Sequence, residues 1–188
     1  MLSEKLKENT KINHQVLEGK LLLGMKLIRS KSDYANLLSL FYSFFGGLEI
    51  IIEEHLINTD LLDYANRRKV RSLANDLVFL QKIIPAFAGI EYLPKIDDHF
   101  QALGALYVLE GSTLGGTAIC KMLKGPLNIK GFEGMSFFYG YGEETMPMWK
   151  IFKSILDLPI YISKQESIIQ SANDTFKHFS LWFDEYSF

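Results

Sequence analysis

Residues 103–116 read Leu-Gly-Ala-Leu-Tyr-Val-Leu-Glu-Gly-Ser-Thr-Leu-Gly-Gly, with four glycines inside an apolar run of helical character. The run begins near Asp97 or Asp98 and continues to Leu123, with Gly125-Pro126 as its stop. Each glycine in a helix interior costs roughly 1 kcal/mol relative to alanine, so the pattern calls for a structural return. Gly104, Gly111 and Gly115 fall on one stripe with Val108 and Ala118, a shallow groove of small residues. Such a groove admits either a second helix in close packing or a flat, bulky ligand lying directly on backbone. The doubled Gly115-Gly116 would also let the helix bend over that ligand.

Helical signals fill the rest of the chain. Ser3 is positioned to cap a helix over 4–23 that ends at Gly24. Ser32 and Asp33 open a second helix carrying Tyr34, Leu37, Leu38, Phe41, Phe44, Phe45, Leu48, Ile51 and Ile52, a density that demands burial on most sides. Gly46-Gly47 in its middle marks a kink or a close contact. A third helix is expected over 66–83, stopped by Pro85. Residues 124–143, with five glycines, read as an ordered loop, followed by a short helix over 145–156. Ser163-Lys164-Gln165-Glu166 fits a capping box that starts a last helix to about 186. Alternating strand patterns are absent apart from a few ambiguous residues at 158–162. The reading is one all-α domain over 1–188.

The first helix carries the second informative pattern. Lys7, Lys11, His14 and Glu18 share one side, with Leu17 and Leu21 beside them to turn that side inward. Four residues separate His14 from Glu18, so the carboxylate can hold one ring nitrogen and leave the other for a metal. The two lysines place positive charge along the same face. A planar metallocycle with carboxylate tails, meaning heme, answers both patterns: His14 on the iron, the glycine helix over the opposite face, Lys7 and Lys11 near the propionates.

Composition sets the outer limits. The 188 residues suit one domain with a proper core; 48% are hydrophobic and 22% charged. A net charge of −2 and a pI near 6.1 give no footprint for nucleic acid or an acidic membrane surface. Arg67, Arg68, Lys69 and Arg71 form a local basic cluster that reads as a surface helix start. The most apolar stretch, 41–52, contains Glu49 and is too short to span a bilayer. A single cysteine, Cys120, and an N-terminus without an apolar leader point to the cytoplasm.

Taken together these residues resemble the bacterial biliverdin-producing heme oxygenases over nearly the whole chain. The resemblance is carried by the Lys7, Lys11, His14, Glu18 spacing, by Arg67-Arg68-Lys69 followed by Leu73 and Asp76-Leu77, by residues 103–116, and by Phe137-Phe138-Tyr139-Gly140-Tyr141-Gly142 with Trp149. It implies a heme-sandwiching helical bundle with His14 as proximal iron ligand and Glu18 orienting it. It also implies that Gly111, Ser112, Gly115 and Gly116 form the distal wall beside bound O2. Lys7, Lys11 and Lys150 would face the propionates, and Tyr139, Tyr141 and Phe176 would line the pocket edge. In the family, heme is opened at a meso carbon to biliverdin, carbon monoxide and ferrous iron, with electrons from a separate ferredoxin or reductase. One departure stands out: animal-type members carry an aspartate where this chain has Ser112, and several bacterial members have a small polar residue there.

Three rival readings compete with this one. A di-iron protein needs Glu-x-x-His pairs, but positions 11, 52, 96 and 175, three before each histidine, are Lys, Ile, Ile and Thr. A thiaminase-like enzyme would need Cys120 as nucleophile, and no motif surrounds it. The serious alternative is a protein that stores, carries or senses heme without degrading it, separated from the enzyme by turnover alone.

Overall fold

The computed structural model describes residues 1–56 and 61–186. Its α-helices are α1 (Leu2–Asn9), α2 (Lys11–Leu27), α3 (Lys31–Leu56), α4 (Arg71–Phe79), α5 (His99–Gly111), α6 (Gly116–Leu127), α7 (Ser136–Tyr139), α8 (Thr145–Leu156) and α9 (Gln165–Tyr186). No strand occurs among the described residues, and 158–162 fall mostly within a 3-10 turn, Pro159–Lys164.

Helix α3 forms the centre because its apolar residues between Tyr34 and Ile52 demand burial on most sides. Phe41, Phe44 and Phe45 meet Phe179 of α9 at 5.0, 4.8 and 4.8 Å between ring centroids, and Phe137 of α7 closes the cluster against Phe41 and Phe45. Aromatic pairs of this kind add about 0.5–1.5 kcal/mol each beyond the area they bury. Helix α3 is long and apolar enough to cross a bilayer by length and composition, longer than the 41–52 stretch read from the sequence; its hydrophobic side chains are spent on the bundle instead. Gly46 and Gly47 mark a close contact. A Cβ on Gly46 would lie 2.1 Å from the Phe87 ring, because residues 86–88 cross α3 here, bonded through Ala88 N to Ser43 O at 2.9 Å.

Several helix ends differ from the sequence expectation, each for a local reason. The expected helix over 4–23 divides at Thr10, whose hydroxyl bonds back to Leu6 O at 2.7 Å, a bond that bends helices. It then runs past Gly24, where the missing side chain admits the Phe183 ring. Helix α4 begins only at Arg71, since Glu49 takes the Val70 N–H at 2.7 Å and the preceding arginines turn inward. Its end is a Schellman closure, Lys82 N to Leu77 O at 2.9 Å, with Gln81 at φ 56°. Pro126 sits inside the last turn of α6, where it has no N–H to give the helix ladder, and Asn128 in the left-handed region stops the helix. The expected loop over 124–143 contains α7, whose N-terminus is tied to α4: buried Asp76 accepts from Ser136 N at 2.8 Å and Phe137 N at 2.9 Å. Burial outweighs these bonds and pushes the Asp76 carboxyl above its usual range.

Helix α5 is buried from Ala102 to Glu110 and packs most extensively along α9. Helix α2 also packs along α9. The two therefore share α9 as a common floor.

Candidate functional site

Thr10, at the start of α2, and Tyr107, on α5, adjoin at the apex of a cleft. His14 lies one turn beyond Thr10 on α2, its N–H on Thr10 O at 2.9 Å. Gly111 lies one turn beyond Tyr107, at the end of α5. From that apex α2 and α5 each follow α9 rather than each other. The exposed imidazole of His14 stands on α2, and the uncovered glycines Gly111 and Gly115 stand at the end of α5 and just past it. Phe176 of α9 supplies the floor, its buried ring edge-on to His14 at 5.6 Å and 89°.

The imidazole is more than half exposed at 56%, and Glu18 is at 57%, so this side opens to solvent instead of turning inward as the neighbouring leucines predict. His14 Nδ1 lies 3.8 Å from Glu18 Oε2, an ion-pair distance and longer than a hydrogen bond. Lys7 at the end of α1, Lys11 at the start of α2 and Lys150 on α8 are all solvent-exposed, so their charges are free for an anionic partner.

On the facing wall the glycines divide into two kinds. A Cβ on Gly104 would stand 2.2 Å from Ile168 O, and one on Gly116 would stand 1.7 Å from Phe138 O. Those two glycines serve packing against α9 and α7. A Cβ on Gly115 would meet nothing within 4 Å, and one on Gly111 only the edge of Trp149 at 3.9 Å. Nothing in the protein requires those two to be glycine. The stripe read from the sequence is thus half packing surface and half open wall. Between α5 and α6, residues 112–115 are a run of tight turns, with Thr113 N on Glu110 O and Leu114 N on Gly111 O, both at 3.1 Å. The expected single helix is broken where Gly111 and Gly115 face open space.

Beneath this turn lies a polar layer that sequence reasoning missed. Arg67, expected at the surface, is 3% exposed and pairs with Glu110 at 2.6 Å and Asp63 at 2.6 Å. Tyr141, expected at the pocket edge, lies in this layer, its hydroxyl 3.0 Å from both Glu110 carboxylate oxygens. Burial and the Glu110 charge push its phenol well above the usual range. Tyr139, also expected at the edge, packs on Phe132 at 3.9 Å and over Gly142. Arg68 donates to Leu109 O and Ser112 Oγ, each at 2.7 Å. The available clue was Glu110, a carboxylate closing an unbroken apolar run, which requires a buried cation as partner. Trp149, to which the sequence assigns no role, stands between Tyr107, at 5.5 Å, and Gly111.

A family model described as heme oxygenase matches residues 1–185. The chain belongs to the heme oxygenase family. A heme oxygenase of Xanthomonas campestris pv. campestris (strain 8004) is 26% identical over 147 residues, 78% of this chain and 86% of that one. Among solved structures, heme oxygenase from Leptospira interrogans aligns with a TM-score of 0.77 at 21% identity, covering 98% of both chains. The NO- and CO-bound heme oxygenase from Neisseria meningitidis gives 0.77 at 22%, over 99% of this chain and 92% of that one. Heme oxygenase-1 from Synechocystis sp. PCC6803, in complex with heme, gives 0.72 at 20%, over 98% and 91%. At these identities the structures speak for the fold, and the family match makes the chain an enzyme of the heme oxygenase class.

Proposed function

We propose that this heme oxygenase binds heme in the cleft between His14 and the Gly111/Gly115 wall and converts it to biliverdin, carbon monoxide and ferrous iron. The observation that carries the reading is the open wall: two glycines that no packing contact explains, at and just past the end of a helix that shares the α9 floor with the exposed imidazole of His14. A flat macrocycle fits that geometry, and the Synechocystis relative of the same fold is in complex with heme.

Bound heme would supply both the iron that activates O2 and the carbon skeleton that is oxidised. This chain's own residues hold and shield it. His14 would ligate the iron from α2 through the ring nitrogen turned away from Glu18, whose carboxylate lies 3.8 Å from Nδ1. Lys7, Lys11 and Lys150 would meet the propionates as exposed, mobile cations. Phe176 holds the imidazole plane from the side. Gly111 and Gly115 leave no side chain to push a small ligand away from the macrocycle, and Ser112 offers the turn's hydroxyl to water. The electrons would come from a separate ferredoxin or reductase. The proposal sets the reaction in the cytoplasm, a reducing compartment suited to a chain whose single cysteine is buried and unpaired.

The test adds one equivalent of hemin, then reductant and catalase under air, beside a His14→Ala sample. Decay of the Soret band with growth of a bilin band, lost or much weakened in the variant, is the expected result. A stable Soret band abolished by His14→Ala would leave a heme-binding protein and overturn the oxygenase reading.

A further inference from the structure

Ser112, where animal-type members have aspartate, does not have a freely rotating hydroxyl. Arg68 Nη2 lies 2.7 Å from Ser112 Oγ and 2.7 Å from Leu109 O, and Ser112 Oγ lies 2.7 Å from that same carbonyl. A guanidinium only donates. Ser112 Oγ therefore accepts from Arg68 and sends its own hydrogen to Leu109 O. What remains on the oxygen is one lone pair, and Ser112 is only half-buried, between the open faces of Gly111 and Gly115. The guanidinium is itself held in place. Nη1 donates to Phe137 O at 3.2 Å, and the group lies over the Phe137 ring at 4.0 Å. The Arg68 N–H donates to the Tyr141 hydroxyl at 2.7 Å, which in turn donates to Glu110. Burial lowers the Arg68 pKa to about 10, so it stays charged at neutral pH.

We propose that Arg68 is a positioning residue that makes Ser112 an acceptor-only group toward the cleft. A water resting on Ser112 then gives it one hydrogen and must point the other at whatever is bound opposite His14. An aspartate has this polarity by its own chemistry; Ser112 has it because Arg68 occupies one lone pair and the Leu109 carbonyl takes the hydroxyl hydrogen. The inference rests on the heme reading above. Without Arg68 the hydroxyl can turn and donate, and the water loses its fixed direction.

The test reads the C–O stretching frequency of the ferrous, CO-bound heme complex by infrared spectroscopy, since a hydrogen bond donated to the ligand lowers that frequency. Arg68→Met and Ser112→Ala are each expected to raise it, and the double variant to move it no further than the larger single shift. A purely structural Arg68 would lower the melting temperature and leave the frequency unchanged, which overturns the proposal, as would an additive double variant. Should Arg68→Met fail to fold, the Ser112 pair decides: Ser112→Asp keeps the wild-type frequency and Ser112→Ala raises it, and an unmoved Ser112→Ala refutes the inference. A wild-type protein without any Soret band would remove the heme reading and this inference together. An intact band with unmoved frequencies removes this inference alone.

Discussion

Adding one methyl group to each of the four glycines in turn separates packing from function within a single stretch of chain. At Gly116 the new carbon would stand 1.7 Å from Phe138 O, so α7 must withdraw by about 1.7 Å to restore an ordinary 3.4 Å contact. The obstacle is backbone, and α7 is anchored from below by Asp76, so the strain has no flexible side chain to absorb it. Gly104 is similar, at 2.2 Å from Ile168 O in the α5–α9 contact. Overpacking of this kind costs at least about 3 kcal/mol. At roughly 2–4 °C per kcal/mol for a chain of this size, Gly104→Ala and Gly116→Ala should each melt about 6–12 °C below wild type.

The other two positions predict a different outcome. Gly115→Ala meets nothing and its φ of −84° suits any residue; the entropy gained by removing a glycine is offset by alanine's poorer standing at a helix N-cap. Gly111→Ala touches only Trp149, at ordinary distance. Both should melt within about 3 °C of wild type, while their methyls enter the cleft and weaken hemin binding by at least about tenfold. Thermal melts of the heme-free variants and hemin titrations provide both numbers. If Gly115→Ala melted as low as Gly116→Ala, or bound hemin as wild type does, the division of the stripe into packing surface and open wall would be wrong.

Other consequences are as direct. His14→Ala should abolish the ligated heme spectrum yet keep the melting temperature within about 3 °C, because the ring is more than half exposed; a large loss of stability would mean a structural histidine. Arg67→Ala leaves Glu110, 2% exposed, without its cation and should cost about 3–5 kcal/mol in urea denaturation; a loss under about 1 kcal/mol would contradict the buried pair. Gln81→Gly relieves a left-handed residue at the end of α4 and should stabilise by about 1 kcal/mol, checked by the same melts. For Asp76 the folded carboxyl binds its proton more tightly than the unfolded one, whose value is 3.8. Wild-type stability relative to Asp76→Asn should therefore grow as pH falls through the raised value toward 3.8, and a gap that narrows on acidification would refute the assignment.

What the sequence revealed and what it withheld follow one physical line. Periodicity reports which residues share a face, so the helical character of the chain, the dense core of α3 and the face carrying His14 and Glu18 were all legible. Partners distant in sequence were not. Arg67 and Arg68 read as a solvated cluster because the carboxylate and carbonyls that receive them come from 41 or 43 residues later or from Phe137 in α7. The start of α4 was hidden for the same reason: Glu49, on another helix, takes the amide that would have begun it earlier. Within the glycine stretch, spacing alone cannot tell Gly115 from Gly116, which are adjacent in sequence yet face open space and a carbonyl respectively.

The polar layer explains how an open wall can be kept open. A turn of glycines has little side-chain packing of its own and would tend to collapse into an adjacent cleft. Here its carbonyl at Leu109 and hydroxyl at Ser112 are gripped from behind by Arg68, and Glu110 is pinned by Arg67 and Tyr141. Each of these bonds joins a buried charge to a partner, so releasing the turn means stranding an ion in low dielectric, at several kcal/mol. The rigidity that packing cannot supply on the cleft side is supplied electrostatically from the other side. That is why the layer lies directly beneath residues 109–112, where a methyl-free surface has to hold its shape with no neighbour in front of it.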